Sequence, residues 1–135
     1  MANNKFPYIG RGNPRLIELH SVTFTVDNGA GTTVDDTLGN FPFDAWIFDA
    51  RAIYTEATDT AGAASANFKL GITAGGATLV AATALEAAKA IGATTLGVPL
   101  AVYLPANTTL WVRHTGIAAT EVGGYFVQVL VLPKP

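Results

Sequence analysis

The chain of 135 residues contains no cysteine. This absence excludes disulfide bonds, thiolate metal sites and a cysteine nucleophile. It leaves the compartment open, because a cysteine-free domain folds in reducing and in oxidising surroundings alike. The length is that of one domain, which is enough chain to bury a single core without covalent or metal crosslinks.

Charge is also scarce. Charged residues make up 13% of the chain, the net charge is −2, and the eight Lys and Arg residues form no basic stripe. Nucleic-acid binding depends on clustered cations that displace counterions, so we expect no nucleic-acid partner. Charged residues are depleted where surface is buried between subunits. The composition therefore favours a chain that works within an assembly, and a globule rich in Ala, Gly and Thr is the alternative.

Long apolar runs are missing as well. No apolar stretch reaches the roughly 18 residues that a transmembrane helix needs. The N-terminal sequence MANNKFPYIGRGNPRL lacks the apolar core of a secretory signal. We therefore expect neither a membrane partner nor export through a signal peptide.

The chain divides into an N-terminal arm, residues 1–15, and a single β-sandwich domain, residues 16–135. The arm has many Asn, Pro and Gly residues and no period of 2 or 3.6, which is typical of an extended segment. It is either a loose terminus or an arm that lies along a neighbouring molecule. The candidate partner contacts in the arm are Phe6, Tyr8, Arg11 and Arg15.

Two segments in the first half of the domain have the pattern of strands. In residues 16–26 the apolar phase changes near His20–Ser21, which predicts a bulge or a switch between sheets. Residues 46–57 alternate, which predicts a strand with one core face and one wetter face that carries Asp49 and Arg51. The predicted core face consists of Trp46, Phe48, Ala50, Ala52 and Tyr54.

The C-terminal part has the clearest strand pattern. Residues 95–104 and 109–116 flank a Pro-Ala-Asn turn and predict an antiparallel hairpin. Residues 125–133 are apolar on both faces, which is typical of a strand that is central in a sandwich or covered by a partner. Together the strands predict an all-β antiparallel sandwich.

The glycine-rich stretch in residues 67–92 has the order strand, turn and helix found in nucleotide-binding domains. The glycine spacing matches neither a phosphate-binding P-loop nor a dinucleotide fingerprint. Thr83 and Glu86 have the spacing of a capping box, which predicts a short helix that ends at Gly92. The stretch is therefore interpreted as a connection with one short helix, and no nucleotide cofactor is expected.

Few residues could support catalysis or bind a metal. His20 and His114 lie on predicted strands without a third ligand, and Ser65 lies in an alanine-rich loop without a base. Asp27, Asp35 and Asp36 flank a turn but lack the spacing of a calcium loop, so solvated aspartates are expected. We expect no catalytic residue, no metal and no cofactor, and hence no enzyme.

The aromatic residues allow two interpretations. They could line a sugar-binding face, or they could pack between the two sheets, which we consider the better explanation of their alternation. The residues concerned are Trp46, Tyr54, Tyr103, Trp111 and Tyr125.

The order of segments WIFDARAIYTEA, NFKLGIT, TALEAAKAIG, TLGVPLAVYLPANTTLWVRHTG and GGYFVQVLVLP resembles a known family. The chain is similar to the small jelly-roll cement, or decoration, proteins on the capsids of tailed double-stranded DNA phages. The resemblance implies a jelly-roll-like sandwich that binds the outside of a capsid as a dimer or trimer. It implies a virion protein that stabilises contacts between major capsid subunits and resides in the host cytoplasm before assembly.

Two other functions remain open. A carbohydrate- or receptor-binding module, lectin-like or from a fibre, predicts that Trp46 or Trp111 is exposed in a groove. An enzyme of the cupin-like kind predicts a metal held by His20 and His114.

Overall fold

The computed structural model describes residues 16–27, 31–59, 66–116 and 122–134. The predicted arm, residues 1–15, lies outside the described residues, as does Ser65. Within the described ranges the chain forms eleven strands and no helix. The strands are β1 Ile17–His20, β2 Phe24–Thr25, β3 Thr33–Phe41, β4 Ala45–Glu56, β5 Asn67–Gly71, β6 Val80–Ala84, β7 Thr94–Leu96, β8 Val98–Pro99, β9 Tyr103–Leu104, β10 Thr108–Thr115 and β11 Gly124–Pro133.

The strands form two antiparallel sheets that pack as a sandwich, which confirms the predicted fold class. Sheet A has the order β1-β11-β4-β7, with β2 added to β11 and β9 added to β4. Sheet B has the order β3-β10-β5-β6-β8. No helix in the part of the chain that the structure describes is long and apolar enough to cross a membrane.

The core lies between the sheets and is built from alternate residues of the long strands. β11 contributes four fully buried residues to the core: Tyr125, Val127, Val129 and Val131. Sheet B contributes inward-facing residues of β5 and β10, chiefly Phe68, Leu70, Leu110, Val112 and His114. The period of two that identifies the strands in the sequence therefore also selects the core residues.

The phase change near His20–Ser21 is a bulge, and both flanking strands stay in sheet A. His20 pairs with Gln128 and Phe24 with Tyr125, so one extra residue lies on the β1–β2 side. At the bulge the Ser21 amide donates to the Val127 carbonyl at 2.9 Å, and the Ser21 hydroxyl accepts a hydrogen bond from the Val127 amide at 2.8 Å.

The short helix expected to end at Gly92 is wrong. Thr83 lies inside β6, where its hydroxyl accepts a hydrogen bond from the Val98 amide at 3.1 Å instead of capping a helix. The backbone amide of Glu86 donates to the Tyr54 hydroxyl at 2.9 Å, and Ala88 has a φ of 57°. A left-handed residue cannot continue an α-helix, so residues 85–93 run as turns along the sandwich.

The structure contains one strand that the sequence pattern does not identify, and it corrects one predicted hairpin. β3 was not predicted, because its Asp35, Asp36 and Gly39 resemble loop residues. The predicted hairpin is also wrong, since β9 pairs with β4 in sheet A whereas β10 pairs with β3 and β5 in sheet B. The Pro-Ala-Asn turn instead carries the chain from one sheet to the other, and the Asn107 amide donates to the Phe41 carbonyl at 2.6 Å.

Candidate interaction surface

The outer face of sheet A is largely apolar. Its side chains alternate with core residues along β11, β4 and β7, and they point away from sheet B. We call this surface the apolar face. Its members are Leu16, Trp46, Phe48, Ile53, Leu96, Tyr103, Phe126, Leu130 and Leu132.

A bulge in β4 places two of the aromatic residues on this face. Leu130 pairs with Asp49 but Val131 pairs with Ile47, so Phe48 is the extra residue. Phe48 is 64% exposed and Trp46 is 38% exposed. The expectation that both belong to the core face is therefore wrong, because the extra residue reverses the alternation on its N-terminal side.

The other part of the β4 prediction is confirmed. Ala50, Ala52 and Tyr54 are buried in the core, and Asp49 and Arg51 lie on the opposite, wetter face. The sequence pattern thus identifies the core face correctly for the part of the strand that follows the bulge.

The last strand carries apolar side chains on both faces, as its sequence predicts. Val127, Val129 and Val131 are fully buried, whereas Phe126, Leu130 and Leu132 on the outer face are only partly buried. Among residues 16–27, 31–59, 66–116 and 122–134, no strand forms a third layer over them. The apolar face thus has the side chains of a covered surface without a cover from the described chain.

The charged groups on the apolar face are paired with one another. The Arg51 guanidinium donates to the Asp49 carboxylate from the same strand. The Gln128 side-chain amide donates to Glu18, and the His20 ring lies 3.3 Å from the same carboxylate. His20 also packs against the Phe126 ring, with centroids 4.9 Å apart. Because these polar groups already have partners within the face, a contacting surface would leave few of them unsatisfied.

An aromatic pair forms the end of the face where β9 joins β4. The Trp46 and Tyr103 rings meet edge to face with centroids 5.7 Å apart, and the Lys134 ammonium lies 5.9 Å from the Trp46 ring. The Asp44 carboxylate accepts a hydrogen bond from the Ala106 amide at 2.9 Å. That bond and a second one from the Tyr103 hydroxyl lower the pKa of Asp44, and the pKa of Tyr103 is raised by the same carboxylate. The end of the face is therefore fixed by polar contacts at its rim.

The outer face of sheet B has a different chemistry. Arg113 on β10 donates twice to the Asp35 carboxylate on β3, with both distances 2.6 Å. This bidentate pair lowers the pKa of Asp35, and Lys69 on β5 adds to the same effect. The outer face of sheet B thus carries an ion pair between neighbouring strands, whereas the outer face of sheet A combines its ion pairs with many apolar side chains.

The glycine-rich turn after β5 packs onto the outer face of sheet B. A Cβ added to Gly71 would lie 2.6 Å from the carbonyl carbon of Gly76, and one added to Gly75 would lie 2.5 Å from the Arg113 guanidinium. The glycines thus permit close backbone packing. This use agrees with the interpretation of the stretch as a turn between strands.

The structure separates the residues considered for catalysis or metal binding. His20 lies on the outer face of sheet A, whereas His114 is buried in the core with Nδ1 2.5 Å from the Tyr125 hydroxyl. Asp35 and Asp36 both lie on β3 and not in a loop. Asp35 binds Arg113, and Asp36 accepts a hydrogen bond from the Val22 amide at 2.8 Å. The described residues contain no group of three His, Cys, Asp or Glu that could hold a metal ion.

The aromatic residues divide between the core and the surface. Tyr54 and Tyr125 are buried, which confirms the packing interpretation for these two. Trp46 and Tyr103 are exposed, and Trp111 is partly buried on the outer face of sheet B. For these three the expectation of a position between the sheets is wrong.

The comparisons with known proteins extend the description of the fold. No family model matches the chain, and no curated protein matches it. Among solved structures, a chain of the "Cyanophage Pam1 capsid asymmetric unit" superposes with a TM-score of 0.60 and 18% sequence identity. The match covers 90% of this chain and 86% of that chain. The similarity spans nearly the whole of both chains and concerns their fold.

Proposed function

We propose that this protein is a non-enzymatic structural virion protein, a cement or decoration protein on the outer surface of a tailed-phage capsid. In this role it binds as a dimer or trimer and stabilises contacts between major capsid subunits. It resides in the host cytoplasm before assembly, and neither nucleic acid nor membrane is a partner. Two observations support the proposal: the resemblance of the sequence to decoration proteins, and the similarity of the fold to a chain in a phage capsid.

The apolar face is the observation that carries the proposal. Fully burying a Leu, Ile or Phe side chain contributes about 1.5–3 kcal/mol of favourable free energy. A partner that covers several residues of the apolar face therefore gains much of the binding free energy that a stable interface needs. The paired charges of Asp49 with Arg51 reduce the cost of removing the face from water. Aromatic residues are enriched in such interfaces, and Trp46, Phe48 and Tyr103 supply them.

Co-sedimentation with capsids tests the proposal. Purified protein is mixed with phage capsids that lack it, and bound protein is measured in the pellet over a range of concentrations. The Phe48→Asp variant is expected to bind at least about tenfold more weakly, because an unpaired carboxylate would be buried in the contact. The matched control is Ile72→Asp, which changes an exposed apolar residue in the turn on sheet B.

The expected result is strong binding by the wild type and the Ile72→Asp variant, with loss of binding by the Phe48→Asp variant. Absence of wild-type protein from the capsid pellet would overturn the proposed function. Equal loss in both variants would show that the contact is not confined to the apolar face.

A carbohydrate-binding module is the second candidate, and one observation favours it. Trp46 and Tyr103 are both exposed and meet at the rim of the apolar face, where a sugar ring could stack on them. Binding of the isolated protein to a glycan array, lost in the Trp46→Ala variant but kept in Ile72→Ala, would support this function. A silent array together with capsid binding would exclude it.

A further inference from the structure

We propose that residues 1–15 of the same chain bind across the apolar face in the unattached protein and shield it. Binding of residues 1–15 to the apolar face does not depend on what else binds that face. The claim that this binding shields a capsid contact rests on the proposed function. The argument uses the position where the segment joins the sandwich, its length and residue types, and its charge.

The segment joins the sandwich at one side of the apolar face. Leu16, which directly precedes β1, is exposed. Ile17 pairs with Val131, so the preceding residue, Leu16, lies beside Leu132. Leu132 pairs in turn with Trp46. Two strand spacings of about 4.8 Å separate Leu16, the residue after the segment, from Trp46. The first residue of the described chain therefore already belongs to the row that crosses the face.

The length and the residue order of the segment suit a return over the face. Fifteen residues reach about 50 Å when extended, several times the width of the sheet. To lie on the sheet the segment must reverse direction, and Gly10, Gly12, Asn13 and Pro14 are turn-forming residues directly before Arg15. The residues that follow the reversal, counted back from the turn, are Ile9, Tyr8, Pro7 and Phe6, which are apolar or aromatic.

The charges of the segment and of the sandwich are complementary. Three of the eight basic residues and none of the ten acidic residues lie in residues 1–15. Residues 16–135 therefore hold five basic and ten acidic residues, a net charge of −5. Opposite net charges attract the segment to the domain, and apolar contacts then select the surface on which it rests.

A pair of introduced cysteines tests whether the segment reaches the face. The chain has no cysteine of its own, so a Tyr8→Cys, Phe48→Cys double variant can form only one intramolecular disulfide. The matched control is Tyr8→Cys with Ile72→Cys, which places the second thiol on the side of sheet B. Dilute protein is oxidised, and crosslinked monomer and dimer are separated by non-reducing electrophoresis and identified by peptide mapping.

The expected result is an intramolecular crosslink that forms at least tenfold faster in the Tyr8→Cys, Phe48→Cys variant than in the Tyr8→Cys, Ile72→Cys variant. Equal rates in the two variants would overturn the proposal. A disulfide-linked dimer as the main product would also overturn it, because the segment of a second copy would then occupy the face.

The same variant separates this proposal from the proposed function. The oxidised Tyr8→Cys, Phe48→Cys protein is expected to bind capsids at least tenfold more weakly than the same protein after reduction. If the rapid crosslink forms but the reduced protein and the wild type both fail to bind capsids, the proposed function fails while the binding of the segment stands. If the oxidised protein binds capsids as well as the reduced protein does, the shielding is overturned.

Discussion

The Nδ1 atom of His114 and the hydroxyl of Tyr125 lie 2.5 Å apart in the centre of the sandwich. His114 belongs to β10 of sheet B and Tyr125 to β11 of sheet A, so this hydrogen bond joins the two layers. Both side chains are fully buried, and the Phe24 ring stacks on the imidazole with centroids 5.2 Å apart. The pair fixes how the sheets lie on each other, because a buried polar atom without its partner is costly.

The first prediction concerns the pH dependence of stability. Burial lowers the pKa of His114 from 6.5 to about 4, although a hydrogen bond with the Thr25 backbone favours the protonated ring. Between these two values the unfolded chain binds a proton that the folded protein does not, so the free energy of unfolding falls as the pH falls. His114 is expected to remove about 3 kcal/mol of stability between pH 6.5 and pH 4, measured by urea unfolding.

NMR spectroscopy of the imidazole provides the check on this prediction. A His20→Gln variant leaves one histidine, so its ring signals are assigned without ambiguity. The His114 ring is expected to remain neutral from pH 7 to nearly pH 4. A ring that is already protonated at pH 6, or a stability that stays constant from pH 7 to pH 4.5, would contradict the prediction.

The second prediction concerns a closed set of hydrogen bonds that holds the turns after β6. The Glu86 amide donates to the Tyr54 hydroxyl, which lies 2.7 Å from Thr95 Oγ1, and Thr95 donates to the Glu86 carboxylate at 2.7 Å. Replacement Thr95→Val keeps the shape but removes both of its bonds. It is expected to lower the free energy of unfolding by about 1–3 kcal/mol.

Thr37→Val is the matched control for this change. Thr37 is exposed on β3, so its replacement is expected to change stability by no more than about 0.5 kcal/mol. Chemical denaturation of both variants at neutral pH gives the comparison. Equal effects of the two replacements would show that the bonds of Thr95 contribute nothing specific.

The sequence predicts the fold class because apolar residues recur at every second position of the long strands β4, β10 and β11, and these residues face the core. It fails where one residue interrupts that period. Nothing in the sequence WIFDAR marks Phe48 as an extra residue, since the bulge is defined by pairing with β11, which is distant in sequence. The apolar face was therefore predicted only through β11, whose two apolar sides indicate a covered strand.

The missing helix and the missed strand have a related cause. Thr83, Glu86 and Gly92 satisfy the local rules for a helix, yet Tyr54, Thr58 and Thr95 provide hydrogen bonds from other parts of the chain. β3 has residues typical of loops, but its aspartates are partnered by Arg113 and by the Val22 amide. Tertiary contacts outweigh local propensity in both places.

The third prediction tests the packing role of the glycine-rich turn. A Cβ at position 71 would meet the carbonyl carbon, oxygen and Cα of Gly76 at 2.6, 2.8 and 2.9 Å, all of them backbone atoms. Gly71→Ala is therefore expected to destabilise the protein by about 1–3 kcal/mol through overpacking. Thermal unfolding and the NMR signal of the Arg113 guanidinium, which lies against Gly75, provide the measurements.

Gly31→Ala is the comparison for this variant, because it separates steric clash from backbone strain. Gly31 has a φ of 73°, and among the described residues no atom lies within 4 Å of an added Cβ. Its replacement is expected to cost about 1–2 kcal/mol from the left-handed conformation alone and to leave the Arg113 signal unchanged. A Gly71→Ala variant as stable as the wild type, with an unchanged Arg113 signal, would show that the turn does not pack against the sheet.

The fourth prediction distinguishes turns from a helix in residues 85–93. Ala88 has a φ of 57°, a conformation that costs a residue with a Cβ about 1–2 kcal/mol and costs glycine little. The greater entropy of glycine in the unfolded chain offsets about 0.5–1 kcal/mol of this gain, so Ala88→Gly is expected to raise stability by about 0.5 kcal/mol. In a helix the same replacement would lower stability by about 1 kcal/mol.

Ala90→Gly is the matched control. Ala90 lies two residues along the exposed turn and lacks the left-handed conformation, so its replacement is expected to lower stability by about 0.5–1 kcal/mol. Urea unfolding of both variants measures the two signs, and a loss of stability in both would contradict the turn structure.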